Sequence, residues 1–233
     1  MTTEISFGAS ERPKAEPALV LSQTPATDAR VQGEFLQRHI RNTRIKLMHK
    51  TSARVEDESA KIGDVFFGDV KIADTTQMAA FTVLGMRLVY EEWVEFGGEA
   101  SPRIFDTEAE VFKAGGWTDW RENVRPSFSE KLSVVCLVKA PTGLSNTEDA
   151  FPYEFDGESF GIGMWEMKGS TFTRAGKTLI TAIKSVGLDV PHAIEWSLTT
   201  QKTTFGKNTT PTPKIMRRGL HSPEFLAFAA HIR

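Results

Sequence analysis

Apolar positions in the first half of the chain follow short and alternating runs that predict β-strands. A first strand-like segment holds Ile45 and Leu47, and its pattern extends the expectation to Val55. In residues 64–72 two apolar stretches flank Gly68-Asp69, which predicts a hairpin with a tight turn. Residues 78–94 are rich in β-branched and aromatic side chains, so we expect one long strand or two there.

The second half continues with strands of two kinds. Residues 131–140 form a short continuous apolar run, the pattern of a strand buried on both faces. A strand or hairpin is expected over 151–167, and 194–198 alternates apolar and polar side chains, as a half-buried strand does. Residues 205–208 predict a turn, and 214–218 predict a basic return strand.

Helical periodicity is clearest in residues 172–186. One face of that helix is apolar at Phe172, Ala175, Leu179, Ile183 and Val186. Ser170 or Thr171 can cap its start, and Gly187 can end it. A terminal helix is expected over 223–232.

These elements together predict a mainly β fold with α additions. Antiparallel strands with one amphipathic helix between them and a C-terminal helix match an OB-fold-like barrel. Residues 1–33 are rich in Ala, Thr, Pro, Glu and Ser and predict a disordered N-terminal arm. We expect 34–233 to form a single domain, with an excursion between strands at about 100–129.

Composition limits the classes of protein that fit. The chain has 233 residues, 40% of them hydrophobic, and carries one cysteine, Cys136, inside an apolar run. A single cysteine excludes an intramolecular disulfide and favours a cytoplasmic protein. No apolar stretch approaches a membrane span, and no secretory signal is visible. The five histidines are scattered, so we expect no metal and no other cofactor.

A formal net charge of −2 hides three blocks of opposite sign. Residues 35–55 contain six Lys or Arg and no acid. Residues 90–160 contain fifteen acids and six bases, and 171–218 contain eight bases and two acids. Basic segments with aromatic residues between them are expected where a protein follows a phosphate backbone and stacks bases.

The basic and aromatic residues of these blocks give a set of candidate nucleic-acid contacts. Phe205, with Gly206-Lys207-Asn208 beside it, is the best candidate to stack a base. The full set is Arg44, Lys46, Lys50, Trp165, Lys168, Arg174, Lys177, Lys202, Phe205, Lys207, Lys214 and Arg217.

Several stretches resemble a family of bacteriophage proteins treated as single-stranded DNA-binding proteins. They are Thr43–Lys50, Ala60–Asp64, Tyr90–Glu95, Trp196–Lys202, Gly206–Asn208 and Ser222–Phe225. The resemblance covers about residues 43–232 and implies an OB-type fold and a role in phage replication or recombination. It also implies that Lys168, Lys177, Lys202 and Lys207 contact the DNA backbone. Many such proteins end in an acidic tail that recruits partners, whereas this sequence ends in Ala-Ala-His-Ile-Arg233.

Two other functions remain open from the sequence. Asp156 followed by Glu166-Met-Lys168 resembles the PD-(D/E)xK nuclease core, in which two carboxylates hold Mg²⁺ and a lysine positions water. Alternatively, the acidic middle block with Trp117 and Trp120 is the contact surface of a protein-interaction or virion component. If the protein binds single-stranded DNA, its expected partners are single-stranded DNA, replication or recombination proteins, and further copies of this chain.

Overall fold

A computed structural model describes residues 43–95, 101–144, 149–185 and 190–232. The strands in these ranges are β1 Ile45–Leu47, β2 Val65–Phe67, β3 Val70–Ala73, β4 Ala79–Glu92, β5 Ile104–Phe105, β6 Phe128–Lys139, β7 Tyr153–Phe155, β8 Glu158–Lys168, β9 Ile194–Phe205 and β10 Asn208–Leu220. The N-terminal arm predicted over 1–33 lies outside the described residues.

Helices are fewer than strands in the described ranges. They are α1 Ala53–Glu56, α2 Glu108–Lys113, α3 over 169–185 and α4 Pro223–His231, with a 3₁₀ turn at Pro191–Ala193. Helix α3 has three parts: Gly169–Thr171, a π-helical Phe172–Gly176 and Lys177–Ser185. The prediction of a mainly β protein with one helix between strands and one at the C-terminus is confirmed.

Two antiparallel sheets make up the fold. The main sheet has the order β10-β9-β4-β6-β8-β7 with β5 on β4, and the small sheet has the order β1-β2-β3. The hairpin predicted at Gly68-Asp69, the long strand β4 and the hairpin turn at Gly206-Lys207 are all present. The extension of the first strand to Val55 is wrong. That residue lies in α1, where its backbone N–H donates to the Ser52 carbonyl at 2.8 Å.

The small sheet and the residues that flank it join the main sheet at β8 and at β9. The Met164 N–H donates to the Thr43 carbonyl at one side, and the Thr200 N–H donates to the Asp74 carbonyl at the other, both at 3.0 Å. These joins are isolated bonds rather than ladders, so the barrel expected of an OB-fold is not closed. Glycines at 161 and 163 let the Phe67 ring lie against β8, because a methyl group at either position would overlap that ring.

The larger hydrophobic core lies between the two sheets and α3. Phe81 stacks on Trp196 and meets Trp165 edge-on, with ring centroids 6.4 and 6.0 Å apart. On the outer face of the main sheet a second cluster forms where α4 covers Leu137 and Phe160. The larger core covers one face of the main sheet and the second cluster covers part of the other. Strands β4, β6 and β8 are therefore apolar on both faces there, which explains their continuous apolar runs.

Helix α3 buries the predicted face but starts earlier than its sequence suggests. Phe172, Ala175, Leu179 and Ile183 are buried, whereas Val186 and Gly187 lie outside the described residues. Neither Ser170 nor Thr171 caps the helix, which begins at Gly169 with no side-chain cap hydrogen bond. A positive φ of 53° at Gly169 explains the early start, because glycine lets the chain turn sharply from β8 into the helix.

The excursion comprises residues 101–127, between β4 and β6, and contains more structure than predicted. Thr107 and Glu110 form a reciprocal capping box at the start of α2. The Thr-x-x-Glu spacing that signals such a box is visible in the sequence. No helix in the described ranges is long and apolar enough to cross a membrane.

Candidate nucleic-acid interface

The structure exposes every basic residue of the predicted contact set and buries one of its two aromatic residues. Trp165 has 2% of its surface exposed and packs against Phe81. It contributes only to the floor of a groove, so its prediction as a stacking residue is wrong. The reason is alternation along β8, which turns Trp165 inward and Glu166 outward.

A basic groove of about 460 Å³ lies where β1 and α1 meet β8 and the start of α3. Its polar lining includes Arg44, Lys46, His49, Arg54 and Thr171, and its one carboxylate is Glu166. Arg44 and Lys46 belong to the predicted contact set, whereas His49, Arg54, Thr171 and Glu166 do not. Burial lowers the pKa of His49 below its ordinary 6.5, so that its imidazole is neutral at neutral pH. The cationic lining therefore comes from arginine and lysine.

In the first turns of α3, an arginine lies over an exposed aromatic ring of the β9–β10 hairpin. The Arg174 guanidinium is 5.7 Å from the centroid of Phe205, whose side chain is 41% exposed at the end of β9. We call these two residues the stacking pair. Arg174 belongs to the π-helical part of α3, and such segments often occur at functional sites. A planar cation over a ring forms a flat surface on which a base can stack.

The β9–β10 hairpin carries four of the predicted lysines and arginines, and it does not bring them all together. Lys207 lies in the turn next to Phe205. Lys214 is on the same face of the hairpin as Phe205, because Phe205 pairs with Asn208 and side chains alternate along the strand. Lys202 pairs with Pro211 and lies on the opposite face. Arg217 pairs with Trp196, far from the hairpin turn.

The groove and the stacking pair meet at the beginning of α3. Thr171 lines the groove, and Arg174 stands three residues further along α3. β10 packs against both β1 and the first turns of α3. The first turn of α3 has no acidic residue, and its N–H groups have no side-chain cap. An uncapped helix N-terminus favours a nearby anion, so this junction extends the positive potential of both surfaces.

Not all predicted cations are available to a ligand. Lys168 forms an ion pair with Glu91, and Lys131 lies 2.9 Å from Glu166 Oε1. The Arg44 guanidinium is 3.0 Å from Glu166 Oε2, at the rim of the groove. We call these five residues the ion cluster. By contrast, Lys46, Lys50, Arg174, Lys202, Lys207, Lys214 and Arg217 form no ion pair within the described part of the chain.

The residues of the nuclease alternative do not form a site. Asp156 lies in the β7–β8 turn and Glu166 near the other end of β8. Ten residues of extended strand separate them by roughly 30 Å, too far for one metal ion to bind both. Among the described residues no three His, Cys, Asp or Glu side chains are grouped to hold a metal. Burial raises the pKa of the Cys136 thiol far above its ordinary range, as expected of an inert core side chain.

Comparison with known proteins adds no relative to this description. No protein-family model matches the chain, and neither a curated protein nor a solved structure matches it significantly. The resemblance to phage single-stranded DNA-binding proteins therefore stays a prediction, and the function has to be argued from the surface itself.

Proposed function

We propose that this protein binds single-stranded DNA with little sequence preference, in DNA replication or recombination of the kind that phages carry out. Its bound strand runs over the basic groove, the start of α3 and the β9–β10 hairpin turn. Arginine and lysine side chains contact phosphates there, and the stacking pair holds a base. Neither a cofactor nor a catalytic residue is needed for this function.

The observation that carries the proposal is the stacking pair. Phe205 is an aromatic side chain exposed at a hairpin tip, where burial cannot explain its presence. Arg174 lies over its ring and Lys207 stands beside it. When a base stacks on the ring, these two positive charges are close to the phosphates of that nucleotide. Base–aromatic stacking contributes about 1–3 kcal/mol per base and tolerates any base, because every base has a π-face.

The groove supports the same proposal. It is open and lined by three long cations, of which Lys46 forms no ion pair among the described residues, whereas Arg44 pairs with Glu166 and Arg54 with Asp69. An open charged groove suits a flexible charged chain better than a compact neutral ligand. The acidic excess of residues 90–160 does not oppose this proposal, because none of those acids lies on α3 or on the β9–β10 hairpin, which carry the stacking pair.

Fluorescence anisotropy of labelled oligo-dT and of a matched duplex, in EDTA at two salt concentrations, tests the proposal. We expect tighter binding to the single strand and a steep loss of affinity with salt. Phe205→Leu should raise the Kd roughly tenfold, as loss of one stacked base would. The control is Phe112→Leu, which removes an exposed phenylalanine from α2 and should leave the Kd within about twofold.

Three results would contradict the proposal: no binding to either oligonucleotide, binding that is unchanged between the two salt concentrations, or equal losses in the two phenylalanine variants. Equal affinity for the duplex and the single strand would reopen a nuclease or a duplex-binding function, and addition of Mg²⁺ would then show whether cleavage occurs.

A further inference from the structure

A second exposed aromatic side chain with an arginine over it lies where the excursion leaves the main sheet. Trp93 is 50% exposed, and the Arg125 guanidinium is 4.9 Å from its ring. Arg125 is itself exposed and forms no ion pair among the residues that the structure describes. This arrangement repeats the chemistry of the stacking pair with a larger ring.

The position of Trp93 is fixed by the sheet on which it stands. Its backbone N–H donates to the Ser127 carbonyl at 2.8 Å, one residue beyond the β4–β6 ladder. Just before it, Glu92 is held by two hydrogen bonds from the Arg103 guanidinium. Because the backbone of Trp93 is held in this way, part of the conformational freedom of this residue is already lost before a ligand stacks on its ring.

One lysine of α3 and its carboxylate partner on β6 lie between the stacking pair and Trp93. Lys177 follows Arg174 by one turn of α3, and its Nζ is 4.0 Å from Glu130 Oε2. Glu130 lies on β6 three residues after Ser127, the hydrogen-bond partner of Trp93. The path from Phe205 to Trp93 is thus roughly 30 Å, or about nine stacked nucleotides, within the range that an OB-fold covers.

We propose that Trp93 and Arg125 form a second stacking platform for the strand that binds at Phe205. This inference rests on the proposed function and adds a binding site on the opposite side of Lys177. We assign the exposed aromatic surface at the start of the excursion to single-stranded nucleic acid, because an exposed guanidinium without an ion pair among the described residues lies over the exposed ring.

Acidic residues decide which interaction the platform uses. Glu95, Asp119 and Glu122 are exposed on the excursion or next to it, so phosphates are attracted less strongly here than at the hairpin. Stacking must then supply most of the contact. We therefore expect loss of Trp93 to lower affinity by the same factor at low and at moderate salt, unlike loss of a hairpin lysine.

Tryptophan fluorescence separates this site from the first one. The hairpin surface contains no exposed tryptophan, and Trp165 and Trp196 are buried. Titration of the full-length protein with oligo-dT should quench its fluorescence. Trp93→Leu should abolish most of the quenching and raise the Kd in anisotropy roughly tenfold at both salt concentrations. Trp120→Leu removes a tryptophan that is 68% exposed and follows Asp119, and it should leave the Kd within about twofold.

A conservative variant guards against a folding defect. Trp93→Phe keeps a ring at this position, so it should lose the quenching but keep the affinity within about threefold of wild type. Binding in anisotropy with quenching and Kd unchanged in Trp93→Leu would overturn the platform alone and assign this surface to a protein partner. Absence of binding by the wild-type protein would overturn the proposed function and the platform together.

Discussion

The ion cluster and the stacking pair show how the same basic residue types differ in availability. Lys168 stands at the end of β8 and is held by Glu91, while Lys131 beside it contacts both Glu91 and Glu166. Lys207 and Arg174, at the hairpin turn and on α3, have no carboxylate partner in the described residues. Both lysines of the first group stand on the main sheet, where Lys131 is largely buried and Lys168 is exposed but paired, whereas the second group projects from a turn and a helix.

This difference assigns distinct roles to the two regions. A lysine that already holds carboxylates must give up those contacts before it can bind a phosphate, so its gain from binding is small. A solvated lysine beside an aromatic ring only releases counterions. We therefore expect the ion cluster to contribute stability and the hairpin to contribute affinity. That division is open to direct tests.

Lys131→Met should have the largest effect on stability. The Lys131 side chain is only 15% exposed, and Glu91 is only 12% exposed, so removal of the ammonium leaves carboxylates partly desolvated with fewer partners. We expect the free energy of unfolding to fall by about 1–2 kcal/mol in urea denaturation, with little change in oligo-dT affinity. The matched control is Lys139→Met, which breaks a more exposed pair with Glu158 and should cost less than about 0.5 kcal/mol.

The division of roles fails if Lys131→Met weakens strand binding more than it destabilises the fold. An equal loss of stability in the two variants would show that the degree of burial does not distinguish the two ion pairs.

A smaller effect is expected when the two predicted backbone contacts Lys168 and Lys207 are compared. Lys207→Gln should weaken oligo-dT binding about three- to fivefold at low salt and reduce the slope of log K against log salt by about 1. Lys168→Gln should change neither quantity, because Glu91 already holds that ammonium. Anisotropy titrations at four salt concentrations measure both. Equal losses would show that Lys168 leaves Glu91 to bind the strand.

Much of the fold follows from local patterns. The turns at Gly68-Asp69 and Gly206-Lys207, the apolar face of α3 and the terminal helix α4 are all visible as short-range signals, and the structure confirms them. The assignment of Val55 to the first strand was wrong because an apolar residue in a short polar segment fits a strand or a helix equally well. The capping box at Thr107 is a signal that was present in the sequence and was missed.

The candidate site was less predictable because it depends on contacts between distant parts of the chain. Trp165 looks available in a sequence rich in lysine and aromatic residues, yet the small sheet covers the face of β8 on which it lies. Nothing near Lys168 in the sequence indicates that Glu91 on β4 will bind it. Pairing across a sheet decides which cations remain available, and that pairing is set by the tertiary fold.

The smallest predicted effect is on pH dependence, and it again separates the two regions. Burial raises the pKa of Glu166, but the hydrogen bond and charge of Lys131, with the charges of Arg44 and Lys168, outweigh burial and place it below its ordinary 4.5. A carboxyl with a lowered folded-state pKa contributes stability above its unfolded pKa and loses it as pH falls through the folded value. We expect wild type to lose under about 1 kcal/mol from this group below pH 4.5, and Glu166→Gln to lack that part. Strand affinity should not fall with stability, because protonation removes the one carboxylate of the basic groove and frees Arg44 from that partner. Urea denaturation and anisotropy between pH 3.5 and 6 measure the two responses, and a parallel fall in both would join the regions that the structure separates.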